Sequence, residues 1–198
     1  MQLDSYRRIF TAIGLIGILL FASPTIAVLI KPPSGQQFSE LHILGPNHTL
    51  ENMPFNIVEN VRYLIYIGIG NELGHSTYYS VYVKIGNQND SLPNRVLGLP
   101  TTLPPLYEYK LFVQNGANWE TPLTFQVHNL TLGNGASILH VVNFNGIDYP
   151  VNKKSVWSQN ETGYYYTLIV ELWIYNATTG NSQFHNRFVS LNLNITSY

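Results

Sequence analysis

The sequence predicts an all-β chain: a single antiparallel β-sandwich of Ig-like kind, preceded by one N-terminal hydrophobic helix. Three observations carry this. Ile9 to Ile30 runs for 22 residues without a charge. Beyond Gln37, apolar residues recur at every second position over many short runs, which is the period of half-buried strands. Clusters of Gly, Asn and Pro separate those runs, as at Gln114-Asn115-Gly116 and Asn143 to Gly146, where turns need such residues.

The hydrophobic stretch comes first. At about 1.5 Å per residue, a helix over Ile9 to Ile30 would be ~33 Å long, enough to cross a bilayer core. Arg7 and Arg8 precede it and Lys31 follows. That asymmetry orients the N-terminus to the cytoplasm and the rest of the chain outside. A cleaved signal peptide is the competing reading, with Pro24 ending its helix and Thr25-Ile26-Ala27 as an imperfect cleavage site. Val28-Leu29-Ile30 continues the apolar run past that site, which favours retention, since proline is tolerated in spanning helices. The division is then 1–30 as transmembrane anchor or signal peptide, 31–37 as a Pro/Gly linker, and 38–198 as an extracellular β-sandwich. The membrane is the expected partner, through Ile9 to Ile30, and the expected location is the cell membrane or cell surface.

Within the domain, Val61, Tyr63, Ile65, Ile67 and Ile69 form one apolar face, and Tyr79, Val81, Val83 and Ile85 a second. Turn chemistry at Gly70 to Gly74 joins them, so the two are expected to pair as a hairpin. Leu92 to Pro105 carries four prolines and reads as an extended crossover. Further strands are expected at Tyr107 to Val113, Leu123 to Val127, Ile138 to Phe144, Tyr164 to Tyr175 and Phe184 to Ile195. Seven to nine short strands at this spacing make a sandwich.

Composition narrows the function. The part after Ile30 carries 10 acidic and 8 basic residues with no basic patch, so nucleic acid is not an expected partner. Charged residues make up 11% of the chain, against an ordinary share of about a quarter. Polarity comes instead from Asn, Ser, Thr and Tyr, which suits an acidic exterior where protonated carboxylates sustain no ion pairs. Cysteine is absent, excluding a disulfide framework, a thiolate zinc site and a thiol nucleophile. Six Asn-x-Ser/Thr sequons, at Asn47, Asn89, Asn129, Asn160, Asn176 and Asn194, are the candidate N-glycan acceptors. The competing account is that Asn sits in turns for its tolerance of left-handed backbone.

No zinc-protease, nucleophile-elbow, phosphate-loop or dinucleotide motif occurs, so neither catalytic residues nor a cofactor are expected. Glu72 and His75 alone have metal-ligand proximity, without a third ligand nearby. His128 and His140 alternate with apolar neighbours, as satisfied strand histidines do. The 14 Tyr and 3 Trp fit strand packing better than a sugar-binding face.

One segment is more specific. Phe38-Ser39-Glu40-Leu41-His42-Ile43-Leu44-Gly45-Pro46 resembles the opening of the archaeal domain-of-unknown-function 1616 family, a Phe-x-Glu-x-x-Ile-Leu-Gly-Pro pattern. Ile67-Gly68-Ile69-Gly70-Asn71-Glu72 resembles that family's Gly-Ile-x-Asn-x-Glu turn, one residue shorter here. The likeness continues at Tyr78 to Val83 and at Arg187-Phe188-Val189-Ser190-Leu191. It implies a membrane-associated extracellular β-domain with no catalytic residues to carry over. The expected function is a non-enzymatic, N-glycosylated envelope protein in a structural or binding role, meeting other envelope proteins or copies of itself. A filament subunit assembled by strand addition and a carbohydrate-binding module are the alternatives.

Overall fold

The computed structural model describes residues 6, 7, 9–18, 37–159 and 162–195, in two compact units, 1–37 and 38–198. In the first unit residues 9–18 are helical, about 15 Å of helix or half a bilayer core. No helix among the described residues is long and apolar enough to cross a membrane. The rest of the anchor expected over Ile9 to Ile30 lies outside the described residues.

The second unit is a sandwich of two five-stranded sheets. The first has the order β1 (Phe38–Leu44), β3 (Tyr63–Glu72), β6 (Ala117–Gly133), β7 (Ala136–Phe144), β8 (Ile147–Val156). The second has the order β2 (Asn56–Ile57), β10 (Asn181–Ile195), β9 (Tyr164–Asn176), β4 (Thr77–Asn87), β5 (Tyr107–Val113). All pairings are antiparallel except β2, which lies parallel to the last two residues of β10.

Period-two alternation builds the core. From the first sheet Ile65, Ile67 and Ile69 of β3 and Leu123, Phe125 and Val127 of β6 point inward. They meet Tyr79, Val81, Val83 and Ile85 of β4 and Tyr166, Leu168, Val170 and Leu172 of β9 from the second.

Three expectations need correction. β3 and β4 are not a hairpin, because they lie in opposite sheets. Both faces bury in the same core, and alternation cannot distinguish strands side by side from strands facing each other. The corner between them is built on the fully buried Asn71. Its amide donates to the His75 and Val113 carbonyls at 2.9 Å each, and its oxygen accepts from Leu73 N at 3.1 Å. Val61 does not share the buried face; it is exposed and precedes β3. Nor does Leu92 to Pro105 cross between sheets, since β4 and β5 are neighbours. Its prolines exclude a ladder role, and the segment folds back as a strap before Leu106 N rejoins the Val83 carbonyl at 2.9 Å.

The other differences are of extent. β1 and β8 are strands beyond those the sequence predicts; β8 mixes Pro150 with Asp148, Lys153 and Lys154. Both are edge strands, where proline and charge are admitted. β6 begins earlier than expected, running through Pro122. Pro122 stands opposite Tyr66, and β7 pairs with β6 only from Phe125 on, so the missing N–H falls on an unladdered stretch.

Candidate functional site

The outer face of the second sheet gathers the chemistry. On β4, Tyr79, Val81 and Val83 point inward, so Tyr78, Ser80, Tyr82 and Lys84 point out. Glu171 and Trp173 of β9 lie beside them, in register with Tyr82 and Ser80.

At one end the strap covers this face. Lys84 and Glu171 are both buried and pair at 2.8 Å. Glu171 also accepts from Thr101 N at 2.8 Å and from the Trp173 indole at 3.0 Å, while Lys84 donates to the Thr101 carbonyl at 3.3 Å. Every contact is a charge-assisted hydrogen bond, so the pair is closed. It fixes the strap to the sheet and has no solvent-facing group to act on a substrate.

Past the strap the face turns aromatic. Tyr82 packs edge-on to Trp173 at 5.3 Å between ring centroids, and Trp173 meets Phe184 at 6.0 Å. Tyr78 and Tyr175 follow, at 6.3 Å and nearly perpendicular, with Phe112 opposite Tyr78 across the ladder. Tyr78, Tyr175 and Phe112 are 39%, 45% and 66% exposed, far more than packing rings would be. They border a cleft of about 460 Å³ whose polar lining comes from His75, Ser76, Thr77, Asn176 and Gln183. Burial, then the nearby Glu108 carboxylate, raises the Tyr82 phenol above its ordinary pKa. The cleft thus combines aromatic rings with uncharged amide and hydroxyl groups and one imidazole.

The sequons divide. Asn47 and Asn89 are exposed in turns, and Asn129 is exposed on β6 at a left-handed φ of 53°. Asn176 is half-buried, its oxygen accepting from Thr178 N at 2.9 Å. Asn194 is buried at 6% exposure, and its amide nitrogen, the atom a glycan needs, donates to the Asn56 side chain at 3.0 Å. Asn160 lies outside the described residues.

The histidines are engaged separately. His48 sits 2.5 Å from Glu120 and stacks on Tyr66; His128 bonds Asn60; His140 bonds Thr131 and Asn152. His75 Nδ1 lies 3.1 Å from the Leu73 carbonyl, and no group of three metal-ligating side chains occurs among the described residues.

The segments that carried the family resemblance converge. β1 pairs with β3 in register, Phe38 opposite Glu72. At their end Ser39 Oγ lies 2.6 Å from the Tyr79 hydroxyl and 3.0 Å from His185 Nε2, and Arg187 donates to the Ser39 carbonyl at 3.1 Å. The Tyr79 hydroxyl donates to Asn71 at 3.2 Å. Burial and then Arg187 hold His185 below its ordinary pKa. Ser39 and His185 have the spacing of a nucleophile and base, but Ser39 is 1% exposed. The pair latches one sheet to the other.

Alternation already sends Tyr79 inward and Tyr78 outward, but the aromatic face is not legible in the sequence because Phe112 and Tyr175 join Tyr78 only through the packing of β5 and β9 against β4.

No family model and no curated protein matches the chain. Among solved structures it is similar to the CARDB domain of the PF1109 protein from Pyrococcus furiosus, in complex with di-metal ions. That likeness has 7% identity and a TM-score of 0.39, over 81% of this chain and 89% of that one. It is also similar to a β-glucosidase from Listeria innocua in complex with glucose, at 8% identity and a TM-score of 0.42, over 82% of this chain and 16% of that one. A third is Bacteroides uniformis β-glucuronidase 2, at 11% and 0.37, over 78% and 13%. The chain thus spans under a fifth of the two glycosidases. At these scores the likenesses carry no functional information.

Proposed function

We propose that the chain is a non-enzymatic cell-surface module, tethered through Ile9 to Ile30, that binds an uncharged glycan on the outer face of its second sheet. The observation that supports this is the band of Tyr78, Phe112 and Tyr175 around the cleft, each of them more than a third exposed. The domain is Ig-like in its second sheet, where β10-β9-β4-β5 follows the G-F-C-C′ order of a variable domain. N-glycans belong at the exposed sequons Asn47, Asn89 and Asn129. The test is titration of the intrinsic fluorescence of residues 37–198 with neutral oligosaccharides from envelope polymers. Saturable quenching that Tyr175→Ala and Phe112→Ala abolish is the expected result, and no response across the panel would sink the reading.

One observation favours the filament alternative. β2 pairs with β10 at two positions only. Ser190 and Asn192, of the same parity as Asn194, whose N–H points outward to Phe55, leave edge peptide groups for an added strand. Concentration-dependent oligomers of the same domain, lost on Ser190→Pro, would support it.

A further inference from the structure

The strap begins with a feature that neither glycan binding nor the Lys84–Glu171 pair requires. Residues 92–99 form a closed loop: Asn94 and Leu99 exchange both backbone hydrogen bonds, at 2.8 and 3.0 Å. The Asn94 side chain accepts from Val96 N and Leu97 N at 2.9 and 3.0 Å. Gly98 supplies the left-handed residue, at φ 67°. The loop is therefore pre-organised, and what it presents is aliphatic. Val96 is 94% exposed and Leu97 67%, with Leu99 and Leu92 about half exposed. Its one charge, Arg95, is turned back: the guanidinium donates to the Phe188 carbonyl at 2.6 Å and lies 4.6 Å over the Phe188 ring. A rigid prominence of uncharged aliphatic side chains costs solubility unless an apolar phase receives it.

Its position identifies that phase. Arg95 rests on Phe188, and the Cβ position of Gly98 faces the Asn186 side chain at 3.2 Å. These residues belong to the β10 bulge between Phe184 and Arg187 and its margin. The same bulge holds Ser39 through His185 and Arg187. Ser39 is the second residue of β1, where the chain enters the domain after the seven-residue linker at 31–37. Seven extended residues span at most ~25 Å. The aliphatic tip and the start of the domain therefore share one bulge, and if Ile9 to Ile30 is held in lipid, seven residues allow the start of the domain no more than that reach from it.

We propose that the Leu92 to Leu99 loop is a membrane-docking wedge, with Val96 and Leu97 entering the lipid interface beside the tether. Aliphatic residues on a rigid support bind lipid through buried apolar area. Docking would fix the domain's orientation and turn the aromatic face in a constant direction. This rests on the tether reading for its geometry, although the wedge is testable without the tether.

The core of 38–198 draws on no residue before Leu41, so the domain can be assayed alone. Because the chain lacks cysteine, Leu97→Cys accepts one environment-sensitive fluorophore. With residues 37–198 and vesicles of neutral phosphatidylcholine-type lipid, a blue shift and at least twofold intensity gain are expected at that site. A label at Asn134→Cys, on the β6–β7 turn, should not respond. Val96→Asp with Leu97→Asp should cut vesicle co-sedimentation at least tenfold while leaving the unfolding midpoint within a few degrees. An unresponsive label, or unchanged sedimentation of the double variant, overturns the wedge. Oligomers that form in buffer and disappear in the Asp variant, without vesicle binding, would overturn it in favour of a protein contact. Failure of the full chain to stay with membranes would count against the tether alone.

Discussion

Lys84 and Glu171 show how much one pair of side chains decides. Two buried charges are tolerated because each is hydrogen-bonded as well as paired. Lys84→Ala would strand the Glu171 carboxylate beneath the strap, at an expected cost of about 3–5 kcal/mol. Replacing both, as Lys84→Met with Glu171→Gln, should cost less, since no charge is then left unpaired and an amide oxygen can still accept from Thr101 N or the Trp173 indole. Urea unfolding of the two variants makes the comparison; a double variant as unstable as the single one would show that strap packing matters more than charge. His185 gives a pH dependence. Its folded pKa lies below the ordinary 6.5, so the unfolded chain takes up the proton first. Its contribution is fully present above pH ~6.5 and is lost as pH falls through the depressed folded value. His185→Gln should flatten the dependence of melting temperature on pH in that window, and an unaltered slope would assign it to carboxylates instead.

At the level of elements, each strand has an inner face set by the core and an outer face free for other work. Ile67 is fully buried, and Ile67→Ala is expected to cost about 2–5 kcal/mol through lost transfer energy and a cavity. Tyr82 points the other way, half-buried against Trp173, and Tyr82→Ser should cost roughly 1 kcal/mol. Denaturant unfolding that ranked Tyr82→Ser as costlier would reverse the inside and outside of β4. Alternation made Ile65, Ile67 and Ile69 legible as core from the sequence. It gave no sign that β3 and β4 face one another across that core, because a strand's period records burial and not its partner.

For the whole molecule, burial sorts the sequons. Asn47, Asn89 and Asn129 are open, and glycopeptide mass spectrometry of native envelopes should find them occupied. Asn194 should be bare, since its amide nitrogen is held inside by Asn56; a glycan there would mean modification before folding. The tether makes a separate demand: the full chain should resist carbonate extraction and leave only with detergent. Release by carbonate would place the domain at the surface by some other means.

The sequence by itself determined the all-β class, the inward residues Ile65, Ile67 and Ile69 of β3 and Tyr79, Val81, Val83 and Ile85 of β4, the extent of β5 and that the 92–105 segment would add no strand to either sheet. Each of these follows from local chemistry: side-chain period, turn residues, and proline's missing donor. The tertiary structure decided which strands share a sheet, the Lys84–Glu171 pair 87 residues apart in the chain, and the meeting of β1, β3 and β10 around Ser39. It also brought Tyr78, Phe112 and Tyr175 around one cleft. Those are long-range matters, fixed by how two twisted sheets face each other and by which strands lie side by side, and a strand's own period carries no mark of its neighbours.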